Sequence, residues 1–123
     1  MNINVDTTIT GNCVVSNNCT IGNNCVVNGY FNQSKFYTLK IKGTSFTNCS
    51  LVAIDFMSTD LTEVIFENCD LYRSEFAKAI ANKANFKTSY NYTIDPAKTK
   101  IKKAVFALEG IKGLLFKHDI LVK

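Results

Sequence analysis

The chain has 123 residues, 46% of them hydrophobic, and a formal net charge of +4. That length makes it one domain, in which an ordinary globular core would be modest. No apolar run approaches the roughly 20 residues needed to span a bilayer. The opening residues, Met1 to Asp6, lack the basic and apolar regions of a signal peptide, so secretion is not expected. The charge is uneven. Asp55, Asp60, Glu63, Glu67, Asp70 and Glu75 face Arg73 alone, a local balance of −5, whereas seven Lys from Lys98 onward outweigh Glu109 and Asp119 by 5.

In the first segment, residues 1–28, the apolar positions Ile3, Ile9, Val15, Ile21 and Val27 are six apart. Thr7, Cys13, Cys19 and Cys25 follow the same step. Gly11-Asn12, Asn17-Asn18 and Asn23-Asn24 lie between them, residue types that tolerate left-handed corners. The pattern, clearest in Ile21-Gly22-Asn23-Asn24-Cys25-Val26, resembles the hexapeptide repeat. That resemblance implies a left-handed, three-sided β-helix, in a family with many acyltransferases and metal-dependent carbonic anhydrases. Those enzymes use a His in or beside the coils, whereas the one His here, His118, lies at the far end and reads as a capping or interface residue. The segment is therefore expected to be structural, as six-residue faces opening one continuous helix. A left-handed coil would instead need a reversal near Asn28-Gly29-Tyr30. Structural zinc wants four ligands with close pairs, so cysteines spaced by six predict no metal site.

From residue 29 to 88 the period is five. Phe31, Phe36, Ile41, Phe46, Leu51, Phe56, Leu61, Phe66, Leu71, Phe76, Ala81 and Phe86 mark twelve consecutive quintets. Mostly small residues, such as Thr44, Cys49, Cys69 and Ser74, stand two positions before each centre. A fixed period that is neither helix nor simple strand is the mark of a solenoid. Quintets such as Cys69-Asp70-Leu71-Tyr72-Arg73 resemble the pentapeptide-repeat family, with its small residue, Asp or Asn, then Leu or Phe. The resemblance implies an all-β solenoid, a right-handed quadrilateral parallel β-helix with one quintet per face. Four quintets then make a 20-residue coil, and residues one coil apart stack about 4.8 Å from each other. Phe36, Phe56 and Phe76 are expected to form one ladder, and Phe46, Phe66 and Phe86 another opposite it. Cys49 and Cys69 should stack as free thiols, since adjacent in-register strands are poor disulfide partners. The odd cysteine count on repeat positions predicts reduced thiols in a cytoplasmic protein. Asp55, Asp60, Asp70 and Glu75 are read as corner-forming side chains. Glu63 and Glu67 remain as a candidate acidic partner face.

Residues 89–123 close the single domain. Tyr90 to Pro96 reads as an ordered turn, and Ile101 and Phe106 recover the quintet spacing. Ala107 to Lys117 is expected to be a short helix, with Ile111, Leu114 and Leu115 on one side. Gly110 and Gly113 suggest close packing rather than helix propensity. Asp119 to Val122 reads as a strand. This tail resembles the closing segment of bacterial pentapeptide-repeat proteins, several of which dimerise through it. Ile111, Leu114, Leu115, Phe116, Ile120 and Val122 are thus candidate dimer-interface residues, with Phe106 and Leu108 beside them.

No catalytic triad, paired-carboxylate pocket or phosphate-cradling loop accompanies these repeats, so no enzyme and no cofactor are predicted. The expected function is a structural or protein-interaction module, a homodimer through its cap, with an unidentified protein partner. The alternative implied by resemblance to quinolone-resistance members is a DNA-mimic-like binder of type II topoisomerase, against which the charge of +4 argues. Direct nucleic-acid binding through Lys98, Lys100, Lys102, Lys103 and Lys112 lacks an Arg cluster or an aromatic platform.

Overall fold

The structure is a computed structural model that describes residues 8–10, 26–28 and 41–123. From Ile41 to Phe106 the chain climbs in 20-residue coils. Ser50 pairs with Asp70, Asp55 with Glu75, Ile80 with Lys100 and Asn85 with Val105, always in parallel and always 20 residues apart. The regular strands are β1 (Thr8–Thr10), β2 (Val26–Asn28), β3 (Ser45–Thr47) and β4 (Ile65–Glu67), and they form one sheet in that order. β3 and β4 place Phe46 beside Phe66, while β2 and β3 place Val27 beside Phe46, an offset of 19. Val27 and Phe31 are four apart where the period changes from six to five, so the shortened offset keeps the apolar centres in line.

β1 departs from the expected continuous helix. It pairs antiparallel with β2, Ile9 opposite Val27. The six-residue period specifies which residues meet, and Ile9 and Val27 do. It is silent on chain direction, because a strand edge accepts a neighbour in either sense. The hexads between the two strands, with Cys13, Cys19 and Cys25, lie outside the described residues, as does Phe36.

Two aromatic ladders fill the core. Phe46, Phe66, Phe86 and Phe106 stack at centroid spacings of 5.4, 5.0 and 5.1 Å, their ring planes within 18° of parallel. Phe56 and Phe76 stack at 5.2 Å and meet the first ladder edge-on, at 5.7 to 6.5 Å. The edge contacts set the positive rim of one ring against the negative face of another across the lumen. Ile41, Leu51, Leu61, Leu71 and Ala81 are fully buried on the remaining faces, and Cys49, Thr59, Cys69 and Ala79, two positions before the last four, are buried with them.

The corners are tighter than the sequence suggests. Gly43, Asn48, Ala53, Ser58, Glu63, Asn68, Arg73, Lys78 and Lys83, every fifth residue, hold positive φ of 52 to 75°. All but the first carry a side chain, in a region disfavoured for L-residues. Stacking offsets that cost, because corner N–H groups donate to the next coil: Ala53 to Tyr72 (2.8 Å), Glu63 to Asn82 (3.1 Å) and Lys83 to Lys102 (2.9 Å). The expected carboxylate corners are present. Asp55, Asp60 and Asp70 each accept the N–H two residues on, at 3.0 to 3.1 Å. Glu75, one methylene longer, instead meets Lys117 at 3.6 Å.

Buried hydroxyls join successive coils. Ser74 Oγ donates to the Leu51 carbonyl and accepts from the Ile54 N–H, and Ser89 Oγ does the same for Phe66 and Cys69. Each hydroxyl thus completes a turn one coil below its own. Cys49 and Cys69 are buried thiols outside any disulfide, and the hydrogen bond with the Cys49 side chain lowers the Cys69 pKa against the opposing effect of burial.

Candidate functional site

The repeat breaks where Asn91 and Pro96 occupy quintet centres. Tyr92 and Ile94 are buried in their stead, and the stack returns to phase at Ile101 without net insertion. Asp95 organises the return, with Pro96 at the second turn position. Its carboxylate accepts from the Ala97 N–H (2.9 Å), and its carbonyl from the N–H groups of Lys98 and Thr99. The Ala97 bond and the nearby His118 hold the Asp95 pKa below the usual carboxylate value. His118 Nε2 lies 3.0 Å from Asp95 Oδ1, tying the cap to the last coil.

The cap is not one helix. A 3₁₀ turn at Leu108–Gly110 leads into α1 (Lys112–Leu115) and a second 3₁₀ turn at Phe116–His118. Side-chain capping is missing at the start of each, and the bonds Gly110 to Ala107 and Leu114 to Ile111 are of the tight three-residue kind. Gly110 and Gly113 let this segment approach Tyr92. A Cβ at Gly110 would collide with the Tyr92 hydroxyl, and one at Gly113 with the Tyr92 backbone carbonyl. The Gly113 carbonyl in turn accepts from the Ile94 N–H at 3.0 Å. The close packing expected from these glycines is therefore made on Tyr92.

The expected terminal strand is absent. Asp119 takes a left-handed φ of 54° and turns the chain away, and the residues after it pair with no edge. A strand needs a neighbour's backbone, and that turn leaves Ile120, Leu121 and Val122 without one. The candidate interface residues separate into three groups. Leu114 packs on the core. Ile111 is exposed and Leu115 half-buried, beside Leu108, which is 87% exposed. Phe116, 73% exposed, turns with Ile120 and Val122 into a groove.

That groove, about 960 Å³ and half-open, lies between the coils and the cap. Tyr72, Arg73, Lys87 and Tyr90 come from the coils, and Glu109, Lys112 and Phe116 from the cap. Tyr92 also lines it. Tyr92 is only 4% exposed, and its hydroxyl has no hydrogen-bond partner among the described residues. Burial, reinforced by the Glu109 charge, pushes its pKa up, so the phenol keeps its proton. The sequence reading missed this groove. Its residues stand at unrestricted outward positions of separate quintets, and only the broken register at Asn91 hinted at it.

Glu63 and Glu67 are exposed, as expected, but belong to different sides of the coil. One coil later the corresponding positions are Lys83 and Lys87. Glu67 accepts a hydrogen bond from Thr47 at 3.5 Å. Among the described residues no cluster of three metal-ligating side chains occurs, and no helix is long and apolar enough to cross a membrane.

The family described as pentapeptide repeats matches residues 40–76 and 54–89, with eight copies of the repeat. Over those coils the chain is similar to the pentapeptide-repeat family. Two structures of trypsin-treated variants of QnrB1, a plasmid-mediated fluoroquinolone resistance protein, are 19% and 13% identical to it. They match 64% and 76% of this chain and 47% and 65% of their own, with TM-scores of 0.40 and 0.35. A pentapeptide repeat protein from the Arabidopsis thaliana thylakoid lumen is 15% identical, over 62% of this chain and 60% of its own, with a TM-score of 0.26. The chain thus spans from about half to two thirds of the length of these proteins. No curated protein sequence matches it.

Proposed function

We propose that the chain is a non-catalytic protein-interaction module of the cytoplasm. Its coils form a right-handed, four-sided β-helix in one domain, and its cap joins two copies into a homodimer. The observation that carries this reading is the division of labour along the repeat. Inward side chains are consumed by the Phe ladders and the small residues beside them. What is left for function is the outward surface and the apolar cap, where Leu108, Ile111 and Leu121 meet solvent in the single chain. An exposed apolar group of this kind, at the open end of a repeat stack, is where a second copy would dock.

Light scattering tests the dimer. Leu115→Asp should convert it into a monomer while far-ultraviolet circular dichroism stays that of the folded coils. Because Leu115 is half-buried, Leu108→Asp provides a second variant at a position that the single chain leaves exposed. A monomer in the unmodified protein would overturn the proposal.

A second reading, a topoisomerase binder that imitates DNA, draws on the acidic run from Asp55 to Glu75. The stacking opposes it, since the next coil sets Lys83 after Glu63 and Lys87 after Glu67. A duplex mimic needs negative charge along its whole length. Unchanged gyrase supercoiling in the presence of the protein would remove this reading and leave the dimer untouched.

A further inference from the structure

We propose that the groove between the coils and the cap is a binding site for a nucleoside monophosphate. Of the candidate dimer residues, Phe116, Ile120 and Val122 line the groove, whereas Leu108, Ile111 and Leu115, on which the dimer test rests, do not.

Four features converge there. The volume, about 960 Å³, lies at the upper end of the range for small-molecule sites. Three ring-bearing side chains, Tyr72, Tyr90 and Phe116, border it and are largely exposed, so their faces are available to a planar ring. Arg73, Lys87 and Lys112 against Glu109 leave a formal balance of +2, which complements a phosphate dianion. The fourth feature is the Tyr92 hydroxyl, protonated, buried and without a partner. Leaving such a donor unpaired costs free energy unless something supplies an acceptor. The hydroxyl lies beneath Gly110 rather than open to the groove, so a ligand oxygen supplies the acceptor only as that turn moves aside.

Other occupants match fewer of these features. An apolar segment would leave the cations and the hydroxyl unsatisfied. Inorganic phosphate would leave the rings unused. A long single strand of nucleic acid needs a basic track, and the cations here converge on one groove.

Isothermal titration of the full chain with adenosine 5′-monophosphate tests the site, with adenosine, ribose 5-phosphate and O-phosphotyrosine as comparators. The expected dissociation constant lies between micromolar and millimolar. Adenosine and ribose 5-phosphate, each missing half of the recognition, should bind about tenfold more weakly or not at all. Tyr92→Phe and Arg73→Asn should each weaken binding by about tenfold. Both variants should fold: the first removes only an unsatisfied hydroxyl, and the second places Asn at a left-handed corner that suits it. No heat with the nucleotide at tens of millimolar would overturn the proposal. So would equal binding of ribose 5-phosphate, or binding indifferent to both substitutions. Tighter binding of O-phosphotyrosine would overturn the nucleotide assignment.

Discussion

Phe66 is where the packing argument is most exposed to test. Its ring stacks on Phe46 at 5.4 Å and on Phe86 at 5.0 Å, and meets Phe56 and Phe76 edge-on at 5.7 and 6.5 Å. Phe66→Ala removes a fully buried ring from the junction of both ladders, where the rigid backbone stack limits collapse into the void. Core Phe→Ala changes cost about 3–5 kcal/mol, and four lost ring pairs place this one near the upper end. Phe106, by contrast, is half-buried on the last coil, with Phe86 at 5.1 Å and Tyr92 at 5.5 Å as its ring neighbours. Phe106→Ala should cost about half as much. Against a total stability of roughly 5–15 kcal/mol for a domain, the first change leaves a marginal fold and the second does not. Urea unfolding followed by circular dichroism, with the denaturant slope checked for constancy, measures both. A loss below about 1 kcal/mol at Phe66, or one no larger than at Phe106, would refute the two-ladder core.

Two further outcomes follow from polar groups. Ser74→Ala strands the buried Ile54 N–H and Leu51 carbonyl of the coil below, and should cost about 1–3 kcal/mol in thermal unfolding. Ser74→Thr, which keeps a hydroxyl as Thr99 does in the next coil, should recover most of it; equal losses from both would deny the inter-coil role. At Asp95 the folded pKa lies below the unfolded value near 3.8, so its contribution is present above that pH and lost as pH falls through the lowered folded value. Asp95→Asn retains an acceptor for the Ala97 N–H but no charge. Its melting temperature should therefore fall less steeply on acidification than the parent's, and identical acid slopes would reject the linkage.

The inward half of this molecule was legible in its sequence, and the reason is physical. A lumen holds apolar groups of fitting size and a few hydroxyls bonded between coils, so Phe46, Phe56, Phe66, Phe76 and Phe86 recur in phase, and the ladders follow from their spacing. The 20-residue coil was legible too, through likeness to a known repeat. The corners were not. The left-handed φ falls on Ala53, Glu63, Arg73 and Lys83 alike, because backbone bonds between coils enforce it and no side chain has to signal it. Direction was invisible for the same kind of reason: Ile9 still meets Val27, yet the pairing is antiparallel. The groove was hidden most completely. Tyr72, Arg73, Lys87 and Tyr90 stand at positions that the core leaves unconstrained, and only three-dimensional stacking makes neighbours of them. Function in a periodic protein has to reside at such positions, since the repeat has already assigned the others. The places to look are those where the period fails, and here it fails at Asn91, beside the one buried hydroxyl among the described residues that lacks a partner.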